Sequence, residues 1–422
     1  MIQLAKTYFN IHRSITGRGV LKSLILLKEH IPNLKIKKIK SGEKIYNWTV
    51  PPEWNVTDAY IKNANNKKIV DFKKNNLSLI NYSVPINKII DFSTLRKHLH
   101  SRPDLPNAIP YITSYYKKYW GFCVKHSDIK KKFIEKKYKV VIKSNFKKRG
   151  DLHYADLIIK GKSKKEILFH TYVCHPKMAN NETSGPILCT YLAKYLTNKN
   201  NYYTYRFVFV PETVGAIAYI KKNYAKLKKN FVAGYVITCA GDEGNFSYLE
   251  SKSKNSLSNK IAKNTFNKLK LKFRNYTFVD RGSDERQYNS PNVDLSVGSI
   301  MKTKYTEYKE YHSSLDNFNF VTEKGLKSSL SLLKKIVSSF EDTFVPISTN
   351  KCEPFLTKYN LIETVSLGGN SKNNSNLSKK ILDFLAYSDG NHTIDEIKKI
   401  TNTTDKGVYK IKDLLLKLKL IR

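Results

Sequence analysis

The sequence predicts an α/β protein, a mixed and mostly parallel sheet sandwiched between helices, with a β-rich insertion near its start and a winged helix at its end. Three observations carry this reading. Short apolar runs alternate with helical periodicities from about residue 150 to 345. Before them lies a proline-broken stretch of short β-like runs, and three short helical patterns close the chain. With 422 residues, 41% hydrophobic and 12% aromatic, wholesale disorder is excluded. No window approaches the ~18 uninterrupted apolar residues of a membrane span.

Residues 1–35 read as helix, with Leu4, Tyr8, Ile11 and Ile15 near helical spacing and Leu21–Leu27 continuing after Gly17 and Gly19. From Ile36 to about Asn145, β-like runs (Tyr46–Val50, Ala59–Ile61, Lys68–Phe72, Ile90–Phe92, Tyr138–Ile142) are broken by Pro51-Pro52, Pro85 and Arg102–Pro106, which suggests a small module set into the main domain. Ala155–Ile159, Glu166–His170, Tyr205–Val210 and Ala233–Thr238 are short enough for buried strands, and helical patterns at Gly185–Leu196, Val214–Tyr224, Ser256–Leu269 and about Glu323–Phe340 complete the alternation. The expected division is 1–40 plus 146–345 for the main domain, 41–145 for the insert and 346–422 for a linker and winged helix-turn-helix. In that last part, 368–376 is a polar linker, and Leu377–Tyr387, Thr393–Thr401 and Asp405–Leu418 are helical, with Thr393 and Asp405 suited to N-caps and Glu396 completing a capping box.

The net charge of +40 invites a nucleic-acid reading, but only about ten of the 75 basic residues are arginine, the residue whose planar fork suits phosphate and base recognition. The lysines are spread along the chain and accompany Asn, Ile and Tyr, all with AT-rich codons. A positive field favouring anionic partners is expected, and nucleic-acid binding or protein docking through 377–422, with a degenerate, non-catalytic main domain, is the alternative reading rather than the expected one. Five scattered cysteines without a C-x-x-C pair support neither a disulfide framework nor a cysteine zinc knuckle, and the start shows no signal-peptide pattern, so a reducing cytoplasm is expected.

In a sheet of this kind sites form beyond the carboxyl ends of the strands. His170–Pro176 with Ala179–Pro186, then Val210–Gly215, Cys239–Gly244 and Tyr311–Asn317 are the polar stretches that carry candidate chemistry. A hydrolytic zinc site needs two or three His and carboxylate ligands, an open coordination position and a separate carboxylate base. His175, Glu182, Asp242 and His312 can supply ligands and Glu212 the base. Each alone has a plainer explanation, such as a turn histidine or a helix-capping carboxylate; their order and shared placement raise the signal.

The chain resembles the aminopeptidase-like proteins related to the M28 zinc peptidases, of the DUF4910 type with an inserted DUF2172 domain and a C-terminal winged helix. The resemblance rests on Cys174-His175-Pro176 through Ser184-Gly185-Pro186, Pro211-Glu212-Thr213 with Gly215, Asp280–Tyr288, Tyr311–Asp316 and Arg13–Gly17. It implies a phosphorylase/hydrolase-like sandwich, a zinc-dependent attack of water on an amide, and a setting in surface-polysaccharide biosynthesis. M28 aminopeptidases hold two zinc ions across a bridging Asp; aligned on Ser184-Gly185, that slot is Asn181, and their Glu-Glu pair is Glu212-Thr213 here. Two zinc ions ~3.5–4 Å apart repel by about 17 kcal/mol at an effective dielectric of ~20, which a neutral amide does not offset. One zinc ion is therefore expected, with His175 and His312 the surest ligands, Asp242 and Glu182 competing for the rest, and His170 a poorer candidate. Asp316 is expected either to orient His312 or to cap a helix. Arg281 and Arg286 are expected to meet a substrate carboxylate or sugar acid and Asp284 an ammonium group, or else to form an internal salt-bridge cluster. The substrate is a small or peptide-like amide, and exposed edges of the insert make a homodimer contact plausible.

Overall fold

Strands buried on both faces have to lie inside a covered sheet, and the longest runs that meet that description are Glu166–Tyr172 and Thr204–Val210, every residue of which is buried. In the computed structural model, which describes residues 1–361 and 374–422, these strands pair in parallel at the centre of an eight-stranded sheet. Phe231–Ile237 and then Val297–Met301 extend it in parallel on one side; on the other, Asp151–Ile159 and the edge strand Lys35–Lys40 run antiparallel. Phe246–Leu249, antiparallel to Val297–Met301, and Phe273–Tyr276 complete the sheet. The mixed sheet and its helices, Ser184–Thr197, Val214–Asn230 and Leu257–Lys268, follow the expected fold class. The strands at 246–249, 273–276 and 297–301 were not expected; the first two are only four residues long, too short for a periodicity to register.

The N-terminal region departs from a single helical reading. One helix ends at Phe9 and the next starts at Arg18. The residues between leave the helix to bury Arg13 and to bring Gly17, at φ 98°, against the Trp54 carbonyl, where a Cβ would stand 2.2 Å from the oxygen. Trp54 belongs to the insert, whose four-stranded antiparallel sheet runs in the order Lys68–Asp71, Glu53–Lys62, Lys137–Lys147, Ile86–Asp91.

The chain divides into two units, Met1–Ile336 and Val337–Arg422. In the second, helices Asn374–Ala386, Ile394–Ile400 and Asp405–Lys417 enclose a small core that includes Ile381, Phe384, Ile397, Ile411 and Leu415. Thr393 and Glu396 form the capping box; the next N-cap is Thr404 rather than Asp405, because Thr404 Oγ1 accepts the Gly407 amide and Asp405 falls in the first turn. The polar linker lies for the most part outside the described residues. Among the described residues no helix is long and apolar enough to cross a membrane.

Candidate metal centre and its surroundings

His175 and Glu212 both sit just past the carboxyl ends of central strands. The helix starting at Ser184 packs so closely beside them that a Cβ on Gly185 would meet the Ile237 carbonyl and Thr171 Oγ1, each at 2.3 Å. Glu182 precedes that helix. Its Oε2 accepts the His175 backbone amide at 2.6 Å and faces His175 Nδ1 at 3.0 Å, while Oε1 accepts Arg13 Nε at 3.1 Å. All three side chains are buried. Burial opposes protonation of His175, but the hydrogen bond and charge of Glu182 outweigh it and raise the imidazole pKa. With Nδ1 turned to Glu182, Nε2 is the nitrogen left for other work.

That nitrogen stands 3.6 Å from Glu212 Oε2, and the His175 and His312 rings lie 5.4 Å apart. His312 occupies a left-handed backbone conformation, φ 52°, and its Nε2 is buried without a hydrogen-bond partner. Burial, and then the nearby His175, push its pKa down to about 3. A buried polar atom left unpaired is costly. A buried imidazole nitrogen without a partner, next to a second imidazole that itself faces a carboxylate, is a donor chemistry that suits a divalent ion such as zinc.

Burial raises the Glu212 carboxyl to about 7; the His175 charge opposes the rise, Asp284 adds to it, and Ser283 Oγ, donating to Oε1 at 3.1 Å, opposes it. Thr213 follows at φ 62°, ψ −79°, with the Val214 amide bonded to the Glu212 carbonyl at 2.8 Å, a strained γ-turn. Its amide donates to Asp284 Oδ1 at 2.8 Å and its hydroxyl accepts Arg286 Nη2 at 3.0 Å. Asp284 Oδ2 meets His170 Nε2 at 2.7 Å, and His170 Nδ1 meets the Tyr288 hydroxyl.

Several sequence candidates thus have other partners. Asp242 accepts from Asn180 Nδ2, the Gly244 amide and Thr303 with its two oxygens and so closes a loop. Glu182 orients His175 and pairs with Arg13. Cys174, His175 and Glu182 do offer donor atoms within 4.8 Å of one another; there, however, Cys174 Sγ accepts the Glu212 amide and burial holds its thiol pKa well up. Asp284 is buried against His170 and Thr213, not open to an ammonium group. Asp316 caps the wide turn Ala179–Thr183 through the amides of Ala179, Asn180 and Asn181, the capping alternative rather than an imidazole partner. Burial raises it to about 6. Asn181 Oδ1 accepts the Tyr172 hydroxyl at 2.7 Å. Arg281 is exposed over the Phe278 ring, while exposed Arg286 stands beside Thr213.

Two contributors are given no role by the sequence, although Arg13 opens one of the stretches that carry the resemblance. Arg13 reaches Glu182 across 169 positions, and Tyr111 of the insert brings its ring to 5.2 Å from those of both His175 and His312.

Residues 2–343 match the family described as a domain of unknown function, DUF4910, a match that runs through the insert, and residues 345–422 match a winged helix-turn-helix. A Clostridium acetobutylicum protein whose name couples polysaccharide biosynthesis with an aminopeptidase-like domain is 39% identical over 366 residues, covering 86% of this chain and 83% of its own. A crystal structure from that bacterium, named for a peptidase, superposes with a TM-score of 0.81 at 36% identity over 100% of this chain and 95% of its own. A zinc aminopeptidase from Bacillus subtilis shares the fold alone, with a TM-score of 0.57 at 13% identity over 80% of this chain and 94% of its own.

Proposed function

Because the chain belongs to the DUF4910 family and carries an aminopeptidase-like fold, we propose that it is a zinc-dependent hydrolase of an amide bond, with one ion held by His175 and His312. The observation that carries the reading is the buried, unpartnered His312 Nε2 next to the His175 ring, whose own Nε2 faces Glu212. A single ion is supported by the neutral Asn181, whose carbonyl oxygen is taken by Tyr172, and by the engaged oxygens of Asp242.

When bound, zinc supplies Lewis acidity that polarises the amide carbonyl and acidifies water. Glu182 fixes His175 with Nδ1 inward. Glu212 Oε2 takes a proton from water and returns it to the leaving nitrogen, and a carboxyl lifted towards neutrality suits both halves of that task. Ser283 and the Thr213 turn aim it. Arg286, exposed beside that turn, is placed for a substrate carboxylate or sugar acid; the substrate class is a peptide or an N-acyl sugar, consistent with the name of the C. acetobutylicum relative.

The test is metal analysis of protein purified without added metal, followed by hydrolysis assays on peptide and N-acyl substrates. About one zinc per chain is expected, and Glu212→Gln is expected to retain it while losing about 10²–10⁴-fold in rate. Absence of zinc even on titration, or an unchanged rate in Glu212→Gln, defeats the proposal.

A further inference from the structure

The insert grips the loop that carries His312. Tyr111 donates its amide to the His312 carbonyl at 2.8 Å, the Ser314 amide reaches the Ile109 carbonyl at 2.8 Å, and Ser314 Oγ accepts the Ile109 amide at 3.0 Å. Arg102 Nη1 adds a bond to the Tyr311 carbonyl at 3.3 Å. These contacts span about two hundred positions and hold a histidine in a left-handed conformation that the loop alone does not favour.

Three tyrosine rings flank the imidazoles. Tyr172 lies 5.5 Å from His175, and Tyr311 stacks on His312 at 3.9 Å. Tyr111 touches both, tilted by 59° on His175 and edge-on at 88° to His312. The ring torsion of a histidine is intrinsically broad. Glu182 fixes it for His175; for His312, whose Nε2 has no partner, ring packing is left to do so.

We propose that Tyr111, delivered by the insert, is a positioning residue that sets the mutual orientation of the two imidazoles for metal. The inference rests on the reading that they hold a metal, and extends it by making the insert part of the metal centre.

The test uses the full chain, with zinc affinity measured by competition with a chromogenic chelator and the visible spectrum of the cobalt(II)-loaded protein recorded beside it. Tyr111→Ala is expected to weaken zinc binding about 10–100-fold, the range seen when groups behind metal ligands are removed, and to alter the cobalt spectrum. Tyr111→Phe, which keeps the ring, is expected to stay within about twofold of the parent. Tyr111→Leu gives a bulky variant should the alanine form fold poorly, with the same loss expected. Phe133→Ala, which opens the insert's own core where Phe133 packs on Phe92 and Tyr138, is expected to lower the melting temperature and leave zinc affinity alone. Parent-like affinity in both Tyr111→Ala and Tyr111→Leu, or an equal loss in Phe133→Ala, overturns the inference while the hydrolase reading stands. A parent protein that takes up no zinc overturns both.

Discussion

The two ends of the central strands each bury an arginine against a glutamate, with opposite consequences. At the amino ends, Arg206 grips Glu166 with two parallel bonds, Nε to Oε2 at 2.6 Å and Nη2 to Oε1 at 2.9 Å, and sends Nη1 to the Tyr219 hydroxyl at 3.0 Å. The pairing is bidentate, and Asp156 adds a second carboxylate beside Arg206 Nη1 and the Tyr219 hydroxyl. At the carboxyl ends, Arg13 meets Glu182 through a single Nε contact, and the other Glu182 oxygen is given to His175. Charge neutralisation is much the same in the two places. In the second, part of the carboxylate's capacity orients an imidazole, and beside it His312 Nε2 is left unpaired. A buried ion pair is thus weak evidence for function by itself; the discriminating feature is whether a neighbouring polar atom has been left open.

The comparison is broken most sharply at the open nitrogen. His312→Leu removes the unpaired atom and keeps much of the side-chain volume. Hydrolysis is expected to fall by at least about 10³-fold, about 4 kcal/mol of barrier, and stoichiometric zinc to be lost. Thermal stability without metal is expected to change little, since removing a buried polar atom that lacks a partner offsets the poorer fit of leucine to the left-handed φ of 52° and the loss of stacking on Tyr311. Chelator-treated protein in a thermal melt, read beside the assay, checks both halves. A large drop in melting temperature would mean that His312 is a structural residue after all.

The closed end is expected to give the opposite result. Arg206→Met strands Glu166 in the interior and is expected to cost about 3–5 kcal/mol of stability, read from denaturant unfolding. The protein that stays folded is expected to keep its zinc and its rate per folded molecule. If activity per folded molecule drops as well, the two ends are coupled and the division of labour drawn between them fails.

The same contrast explains what could be read without coordinates. The alternation of buried runs and helices was legible because Glu166–Tyr172 and Thr204–Val210 are apolar enough to declare themselves as central strands, and residues just past such strands are natural site candidates; His175 and Glu212 lie there. What a carboxylate does was not legible. Glu182 and Asp242 read as ligands in one dimension; in the fold Glu182 also meets Arg13 from 169 positions away while staying within reach of His175, and Asn180 and Thr303 bond to Asp242. Asp284 reads either as open to an ammonium group or as part of a salt-bridge cluster, and His170 as a poorer ligand; in the fold the two bond to each other. Tyr111 was invisible because its link to His312 is a backbone pairing between two irregular loops, a contact that leaves no trace in residue type. The N-terminal helix failed at Asn10–Gly17, where burying Arg13 outweighs the helical spacing of Ile11 and Ile15.

The smallest expected effect lies in the layer behind the base. Asp284 binds the Thr213 amide with one oxygen and His170 with the other, so it ties a strained turn to the strand carrying His170. Asp284→Asn keeps the shape but replaces one acceptor with a donor, so both bonds survive only if His170 offers an unprotonated Nε2. Thr213, at φ 62° and ψ −79°, then has less to hold it in a conformation that costs ~1–3 kcal/mol. Relaxation of the turn moves Glu212, and a loss of about 3–10-fold in kcat is expected, since small misplacements of a general base forfeit part of its ~10²–10⁴-fold contribution. Zinc content is expected to be unchanged. Adding Thr213→Gly separates aim from electrostatics, because glycine accepts positive φ without strain. If the Asp284→Asn loss comes from the turn, the double variant recovers most of it; if it comes from the charge that helps lift the Glu212 pKa, the double variant stays slow and the acidic limb of its pH–rate profile moves down instead.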